Sequence, residues 1–563
     1  MAVSAGAAAQ ERADTIYYNG QIVTMSSNHP TAQAVAIQGD RFLAVGSNAD
    51  VLKTAGPRTK KINLAGQSVV PGLIESHVHP LAAALSEIEG TIPVFKSIPE
   101  IQTYIKSQAA KLPKDRLIFI PKVYSTRLIE HRYPTRQELD TAAPEREVVV
   151  DNGYASVLNS KVMKRLGITS ATPQPSAGRI VIDKNGEPTG LVLGASQLLS
   201  SVRGTRKSTA EERVSSLESM LRTYSSVGIT SIIDRGETAQ GFRAYQTLHD
   251  AGRMKVRAYV TYLVDAKGSA ADLRQEIERI PFVTGSGDKW FTVGSLKTVI
   301  DGGILIGTAY LREPYGRQTG IYGFVEDGYR GVLSVPRENV FEMAKIANEL
   351  GWQMTAHTTG GGATDLLLDA YEAANAIRPI QGRRFTVTHG NFPNAAAIQR
   401  ARKLGVAFDV QPAWMYLDGP AIKDVFGPER MKDFQPFRSM IDGGVVIAGG
   451  SDHMIRFDPR LATNPFHPFF GMWMAITRQM VDGKVLNPEQ RISRAEALKM
   501  WTWNGAYLAF SEKEKGSIEP GKLADMVVIS KNYMTCPEND IKNIEPLKTI
   551  VGGQVVFDAS AAK

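Results

Sequence analysis

Cysteine is almost missing from this sequence, since Cys536 is the only one among its 563 residues. A single thiol cannot close an intrachain disulfide, and it excludes a zinc site built from several cysteines. A metal ion in this protein would therefore need histidines and carboxylates as ligands. The chain supplies 9 histidines and 57 acidic residues.

Long apolar runs and dense blocks of like charge are missing too. No uninterrupted apolar run approaches the ~18 residues of a membrane helix, so we expect a soluble protein with no membrane span. The net charge is +8, but Lys and Arg are spread among acids, without a basic block or an aromatic-rich RNA motif. We therefore expect no nucleic-acid partner.

The alanine-rich start, MAVSAGAAAQERADTIYYNG, leaves the compartment open. It has neither the basic beginning nor the apolar segment of a complete signal peptide, although it is compatible with a trimmed remnant of one. Cytoplasmic and periplasmic or secreted locations both stay open.

Both ends of the chain carry short β-rich runs. TIYYNGQIVTM and AQAVAIQGDRFLAVG near the start, and KGSIEPGKLADMVVIS and LKTIVGGQVVFD near the end, are punctuated by Gly, Asn and Pro turns. The chain is also longer than the ~250–300 residues at which one core stops growing. We predict a small β-sandwich domain from residues 1–70 and 515–563, next to a larger domain of residues 71–514.

Apolar, β-branched runs recur through the middle of the chain and alternate with helical patterns such as 338–351 and 394–405. This alternation predicts an α/β fold with a (β/α)8 TIM barrel. The gap from 80 to 227 is too long for one connection, so we predict an inserted subdomain at about 85–225 after strand 1, over the catalytic face. The eight runs are 69–79, 228–234, 255–263, 291–301, 353–359, 384–390, 405–412 and 444–452.

His77 and His79, in VPGLIESHVHP, stand at the end of the first barrel run. Residues i and i+2 of a strand point to the same side, so both imidazoles can face the barrel interior. Such a pair alone is equally compatible with a structural role. Four further metal-capable side chains end later runs, namely Lys297, His357, His389 and Asp452. Barrel enzymes build their sites where strands end, so this convergence predicts a site for zinc or a related divalent ion.

The sequence resembles metal-dependent amidohydrolases, specifically amidohydrolase family 3, the branch with YtcJ-like and N-substituted formamide deformylase-like proteins. The similarity extends from about Ala13 to Val556. PGLIESHVH is similar to the first metal motif of this family. Further landmarks follow in order: YPTRQELDTAAPEREVVV, NSKVMKRLGIT, GRIVIDKNGEPTGLV, LKTVIDGGILIGTAYLREPY, GGSD and KGSIEPGKLADMVVIS.

The resemblance implies a role for each strand-end residue. His77 and His79 are expected as metal ligands from the first strand, and His357 and His389 as ligands from strands five and six. Asp452 is expected as a ligand and as the catalytic acid and base. One or two divalent ions, most fittingly Zn²⁺, are expected. Lys297 is expected to be carbamylated, because the anionic carbamate can bridge two metal ions, whereas the ammonium group would repel them. The alternative is that Lys297 simply pairs with an acid such as Asp301.

Two departures from the family pattern affect the substrate side. Tyr154, in DNGYASVLNS, stands where many members have a histidine, and a phenol can still donate a hydrogen bond to a substrate oxygen. Gly360-Gly361 replaces a common Gly-Asp pair. Four other residues are candidate substrate contacts, and for each of them the alternative is that it packs in the hydrophobic core. They are Trp414, Tyr416, His453 and Trp473.

The expected reaction is hydrolysis of a C–N bond in an amide, carbamate, urea or N-acyl compound with an apolar or aromatic portion. Metal-activated water would attack, with Asp452 as base and acid. The alternatives are a deaminase or aryl-ester hydrolase on the same scaffold and, more remotely, a non-catalytic scaffold protein. The partner is then a small-molecule substrate, and a homodimer is compatible with the prior for soluble enzymes.

Overall fold

The computed structural model describes residues 12–88, 90–175, 178–194, 196–199, 202 and 208–561. It has mixed α/β architecture, with a barrel of parallel strands and three further sheets. The predicted fold class is confirmed. The residue limits predicted for the domains stay predictions.

The strands of the described residues form four sheets. In chain order they are β1 (Ala13–Tyr18), β2 (Gln21–Val23), β3 (Thr31–Ala32), β4 (Ala34–Gln38), β5 (Arg41–Gly46), β6 (Ala55–Asn63), β7 (Ser68–Pro71), β8 (Leu73–Val78), β9 (Ile118–Ile120), β10 (Val148–Asp151), β11 (Ala155–Leu158), β12 (Arg179–Ile182), β13 (Pro188–Leu193), β14 (Ile229–Glu237), β15 (Arg257–Leu263), β16 (Phe291–Val299), β17 (Met354–Thr358), β18 (Thr386–His389), β19 (Ala407–Val410), β20 (Ile447–Gly449), β21 (Met526–Ile529), β22 (Pro546–Val551) and β23 (Gln554–Asp558).

Several helices begin at a capping box, in which a Ser or Thr side chain and an acid three residues later satisfy each other's backbone N–H, as Thr135 and Glu138 do. Among the described residues, no helix is long and apolar enough to cross a membrane. The helices are α1 (Asn48–Leu52), α2 (Pro80–Ser86), α3 (Ile98–Lys111), α4 (Arg136–Ala142), α5 (Ser160–Leu166), α6 (Ala210–Ser226), α7 (Ala239–Asp250), α8 (Ala270–Glu278), α9 (Arg337–Leu350), α10 (Gly361–Ile377), α11 (Ala395–Leu404), α12 (Pro412–Met431), α13 (Phe437–Asp442), α14 (Pro468–Thr477), α15 (Arg494–Met500) and α16 (Trp503–Leu508).

The barrel strands pair in the order β20-β19-β18-β17-β16-β15-β14-β8, and every neighbouring pair is parallel. The ring closes between its first and last strands, where Asp452 N–H donates to His77 O at 2.8 Å and His79 N–H donates to His453 O at 2.8 Å. Side chains on both faces of these strands are buried, which is typical of a parallel sheet covered by helices. Each predicted barrel run overlaps one of these strands, although β14 extends three residues beyond its run.

A second sheet, β12-β13-β11-β10-β9, lies between α2 and α6 in the chain, with α3, α4 and α5. We call the residues between α2 and α6 the insertion. It is tied to α12 of the barrel by Arg127, whose guanidinium donates to both oxygens of Asp418 at 2.9 and 2.7 Å. The Asp418 side chain is fully buried, so this pair fixes the insertion above the ends of the barrel strands.

Both chain ends build the remaining two sheets, β5-β4-β1-β6 and β23-β22-β21-β7-β2-β3. One apolar cluster lies between them and takes Phe42 from the first sheet, Val69 and Met526 from the second. A buried ion pair between Arg257 of β15 and Asp525, 2.8 Å long, links this unit to the start of the barrel strands. The far ends of those strands stay available for the site.

Candidate active site

The sequence-predicted metal-capable side chains meet at the carboxyl ends of the barrel strands. His77 is on β8, Lys297 on β16, and His357 and His389 on β17 and β18. Asp452 follows β20. Two of these residues have left-handed backbone, with φ 72° at His389 and 57° at Asp452, because the chain turns sharply where each strand ends.

The first cluster consists of His77, His79 and Asp452. The Nε2 atoms of the two imidazoles lie 3.3 Å apart. Asp452 Oδ1 lies 3.3 Å from His77 Nε2 and 3.4 Å from His79 Nε2. One atom from each of the three side chains therefore surrounds a common point.

The second cluster consists of His357 and His389. His389 Nε2 and His357 Nδ1 face each other at 3.0 Å. The rings of His77 and His389 stack with centroids 4.8 Å apart, so the two clusters are adjacent.

Hydrogen bonds on the opposite side of each ring define which nitrogen carries the proton. His77 Nδ1 donates to the Asp409 carboxylate at 2.7 Å, which leaves a lone pair on Nε2. His389 Nδ1 donates to Gln411 Oε1 at 2.6 Å, and His357 Nε2 donates to Gly302 O at 3.1 Å. The inward-facing atoms of these three imidazoles are therefore acceptors.

Acceptors placed against one another suit a cation. Two atoms that each lie about 2.1 Å from one tetrahedral zinc ion are roughly 3.4 Å apart, and the spacings within the two clusters are 3.0 to 3.4 Å. Imidazole and carboxylate are also the ligand types that zinc and related ions take. The residues present fit a divalent metal centre.

Burial favours the neutral form of His79, His357 and His389, which is the ligand form of imidazole. It lowers the pKa of His79 to about 4 and that of His357 to about 3. Burial also raises the pKa of the Asp452 carboxyl, but the adjacent imidazoles of His77 and His79 oppose this effect, and the pKa lies well below its usual value. The first cluster therefore holds a carboxylate.

Lys297 lines the same space, with 4% of its surface exposed. Its Nζ makes no ion pair or hydrogen bond with any residue in the described part of the chain. Asp301, the alternative partner weighed from the sequence, instead accepts backbone N–H groups of Thr359, Gly360 and Tyr310 at 2.8 to 2.9 Å. Burial lowers the pKa of Lys297 to about 8, with Asp452 opposing the shift.

Three buried residues behind the clusters were missed from the sequence. Asp409 accepts from His77 and from Thr388 Oγ1, Gln411 Nε2 donates to Asp409 at 3.1 Å, and Arg235 forms an ion pair with Asp409 at 3.2 Å. The signal was the alternation of polar and apolar residues in FDVQ, which points Asp409 and Gln411 into the barrel.

A cavity of about 350 Å³, the barrel-mouth cavity, opens above the two clusters. Tyr154 of the insertion lines it, and its hydroxyl lies 3.4 Å from His357 Nδ1. Trp414 lines it as well, with its ring centroid 4.7 Å from that of His389. Apolar walls come from residues such as Leu263, Val299 and Ile304. The cavity thus combines a polar floor with apolar sides.

Three other candidate contacts lie elsewhere. His453 is fully buried and is held by Tyr224 Oη at 2.8 Å and Arg456 O at 2.6 Å. Tyr416 and Trp473 pack against each other with centroids 6.0 Å apart, near α14. None of these three lines the barrel-mouth cavity, because His453 contacts Tyr224 of α6 and Tyr416 packs against Trp473 of α14.

The Gly360-Gly361 departure has a packing reason. A Cβ atom at Gly360 would lie 2.0 Å from Tyr310 O, and one at Gly361 would lie 2.4 Å from a guanidinium nitrogen of Arg312. The segment around Tyr310 therefore approaches the start of α10 too closely for side chains at these positions.

Comparisons with known proteins agree with this architecture. The family model described as "Amidohydrolase family" matches residues 60–557. The chain is 27% identical to N-substituted formamide deformylase of Arthrobacter pascens, over 98% of this chain and 99% of that protein. It is also 27% identical to Protein LONG AFTER FAR-RED 3 of Arabidopsis thaliana, over 97% and 92% of the two chains.

Among solved structures, an uncharacterized metal-dependent hydrolase from Pyrococcus horikoshii OT3 superposes with a TM-score of 0.69 at 21% identity, over 93% of this chain and 99% of that one. That likeness concerns the fold. Because the family model matches most of its length, the chain belongs to the amidohydrolase family and is a hydrolase.

Proposed function

We propose that this protein hydrolyses a C–N bond of an amide, carbamate, urea or N-acyl compound that has an apolar or aromatic portion. The observation that carries the proposal is the pair of adjacent clusters, the first of which contains the Asp452 carboxylate, at the floor of an apolar-walled cavity. The N-substituted formamide deformylase relative, which matches over nearly the whole chain, supports the reaction class.

His77, His79 and Asp452 would hold one divalent ion, most fittingly Zn²⁺, and His357 and His389 would hold a second. Lys297 lines the same cavity and would supply a further anionic ligand once its amine has taken up CO₂ as a carbamate. A pKa of about 8 supports this, since the reaction needs the neutral amine, which is then a sizeable fraction near neutral pH. When bound, the metal supplies a Lewis acid and an acidified water.

The chain's own residues would carry the protons. Asp452 accepts the proton of the attacking water and delivers it to the leaving nitrogen, which is a poor leaving group as an anion. Tyr154 donates its hydroxyl hydrogen bond to the carbonyl oxygen as negative charge develops there. Burial holds the pKa of that hydroxyl far above its usual range, so it stays a donor at any working pH.

The apolar walls favour the substrate class. Leu263, Val299 and Trp414 surround the floor, and a hydrocarbon or aryl group placed against them leaves water. A charged substituent would lose hydration there without gaining a partner on that side.

Metal content is the first test. Protein purified with zinc, manganese or cobalt supplementation should contain one to two equivalents of metal, and His357→Ala should lose about half of it. A protein that retains less than a tenth of an equivalent under every condition would overturn the metal assignment.

A hydrolysis screen is the second test. N-formyl and N-acyl amines, N-acyl amino acids, carbamates, cyclic ureas and aryl esters should be offered to metal-replete protein, with release of amine or alcohol as the readout. Turnover of C–N substrates, lost on chelation and restored by metal, is the expected result. Turnover confined to aryl esters, or to release of ammonia from ring carbons, would replace the proposal with one of those activities.

A further inference from the structure

A second cavity, of about 460 Å³, lies beside the barrel-mouth cavity, and we call it the side chamber. Lys122 and Tyr124 of the insertion belong to the walls of both cavities. The two spaces are therefore neighbours across these two side chains. A ligand long enough to extend past Tyr124 from the polar floor would enter the side chamber.

The insertion, α12, the segment after β20 and the segment after α14 form the side chamber, and three of these four bring exposed apolar side chains to it. Ile129 and Val94 of the insertion are 75% and 47% exposed, Leu461 after β20 is 62% exposed, and Val481 is 55% exposed. Large exposed aliphatic side chains gathered at one place mark a binding surface more often than scattered ones do. Folding alone leaves these four side chains in water.

Two arginines of the side chamber, Arg127 and Arg456, hold its walls together. Arg127 donates to Asp418 and to Thr463 O. Arg456 donates to Ile92 O at 2.7 Å, to Pro93 O and to Thr463 Oγ1 at 2.8 Å. Because these two guanidinium groups are satisfied by the protein, they fix the shape of the chamber, and its exposed aliphatic side chains are available to a ligand.

We propose that the side chamber receives the apolar arm of a substrate whose scissile group lies on the floor of the barrel-mouth cavity, so that the enzyme selects extended hydrophobic amides over compact ones. The inference rests on the proposed function. The wall that the two cavities share at Lys122 and Tyr124 favours a substrate arm over a separate partner. The barrel-mouth cavity alone is at the low end of the ~300–1,000 Å³ of ligand sites, whereas the two together fall in the upper part of that range.

Chain-length dependence tests this inference. Two series of amides should be compared, one lengthened from methyl to octyl on the acyl side and one on the amine side. In one of the series kcat/KM should rise about two- to fourfold per added methylene once the arm passes Tyr124. Leu461→Glu, and separately Ile129→Glu, should lower the ratio of kcat/KM for the octyl and methyl substrates by about tenfold.

Ile377→Glu is the matched control, since Ile377 is 61% exposed at the end of α10 and does not line the side chamber. It should leave the ratio unchanged. An octyl-to-methyl ratio near one in the wild type, or one that falls equally in Leu461→Glu and Ile377→Glu, would overturn the inference.

A binding measurement separates this inference from the proposed function. Alkyl hydroxamic acids chelate divalent metals and need no turnover. Calorimetry of their binding to the metal-loaded protein therefore measures how much the alkyl arm contributes to affinity. Affinity should rise along the series from methyl to octyl and flatten in Leu461→Glu, even if the hydrolysis screen finds no substrate. A series in which affinity does not rise with chain length would overturn the inference. It would also be overturned if Leu461→Glu kept the wild-type gain in affinity from methyl to octyl and lost only binding to phosphatidylcholine vesicles, because the aliphatic surface would then bind lipid and not the substrate arm.

Discussion

The barrel-mouth cavity has two walls of different construction. The barrel wall places its side chains on strand ends, and each imidazole with a defined proton is held from behind by Asp409, Gln411 or Gly302 O. The facing wall comes from the insertion, where Tyr124 and Tyr154 stand on connections between short strands. The Tyr154 hydroxyl contacts His357 Nδ1 at the long distance of 3.4 Å.

This difference separates chemistry from selectivity. Atoms that must stay within a few tenths of an ångström of a metal position need rigid backbone and a second layer of hydrogen bonds. A wall that only chooses among substrates can stand on loops, where changes in sequence and length cost little folding energy. Mutations in the barrel wall should therefore abolish turnover, and those in the insertion should redistribute it.

Asp452→Asn should have the largest effect, because it removes the proton acceptor from the barrel wall while keeping its shape. We expect kcat to fall by about 10²- to 10⁴-fold with metal content retained. Steady-state kinetics and elemental analysis of the same preparation check this. Asp442→Asn, at the exposed end of α13, is the control and should keep wild-type kcat.

Tyr154→Phe should have the next largest effect, and it comes from the insertion. Loss of one donor to a developing oxyanion lowers kcat by about 10- to 100-fold with little change in KM. Tyr104→Phe, which alters a half-buried phenol of α3 in the same insertion, should change neither constant. A larger change in KM than in kcat would mean that the hydroxyl only binds substrate.

Asp409→Asn should weaken metal binding by about 10- to 100-fold, because the orienting carboxylate behind His77 is lost. Excess metal should restore kcat, which a folding defect would not permit. Asp369→Asn, in an exposed ion pair with Arg400, is the matched control. Equal metal affinity in Asp409→Asn and wild type would show that His77 is oriented without this carboxylate.

The smallest effect concerns the stability of the insertion. Hydrogen bonds from Arg132 lower the pKa of Glu138 to about 2 in the folded protein, from 4.5. The stabilisation is complete above about pH 4.5 and is lost as the pH falls toward 2, since the folded carboxylate must then be protonated.

Glu138→Gln should therefore be about 1 kcal/mol less stable than the wild type near neutral pH and equally stable near pH 2, by urea unfolding of metal-free protein. Glu145 forms an ion pair with Lys161, and its side chain is 87% exposed. Glu145→Gln removes this pair and should show no such pH dependence of stability. A Glu138→Gln difference that persists at low pH would assign the effect to the start of α4 instead.

The local sequence pattern was sufficient to predict the barrel. The runs around His77, His357 and His389 combine β-branched residues with a histidine at the strand end, and parallel strands bring such ends to one rim. It was insufficient for Tyr416, Trp473 and His453, because an aromatic near a strand end packs into the core or the cavity according to a turn of only one or two residues. Asp409 was missed because a single acid within a strand gives no local sign of what it contacts.

The sequence by itself determined the order of strands and helices, the absence of a cysteine-based metal site, and the set of imidazoles and carboxylates at the strand ends. The periodicity of apolar residues and the chemistry of side chains are local properties, which is why they can be read along the chain. Only the tertiary structure decided which nitrogen of each histidine faces the site, that Asp409 and Gln411 stand behind them, and that a side chamber opens next to Tyr124. These depend on contacts between residues hundreds of positions apart, such as His77 with Asp409 and Arg127 with Asp418.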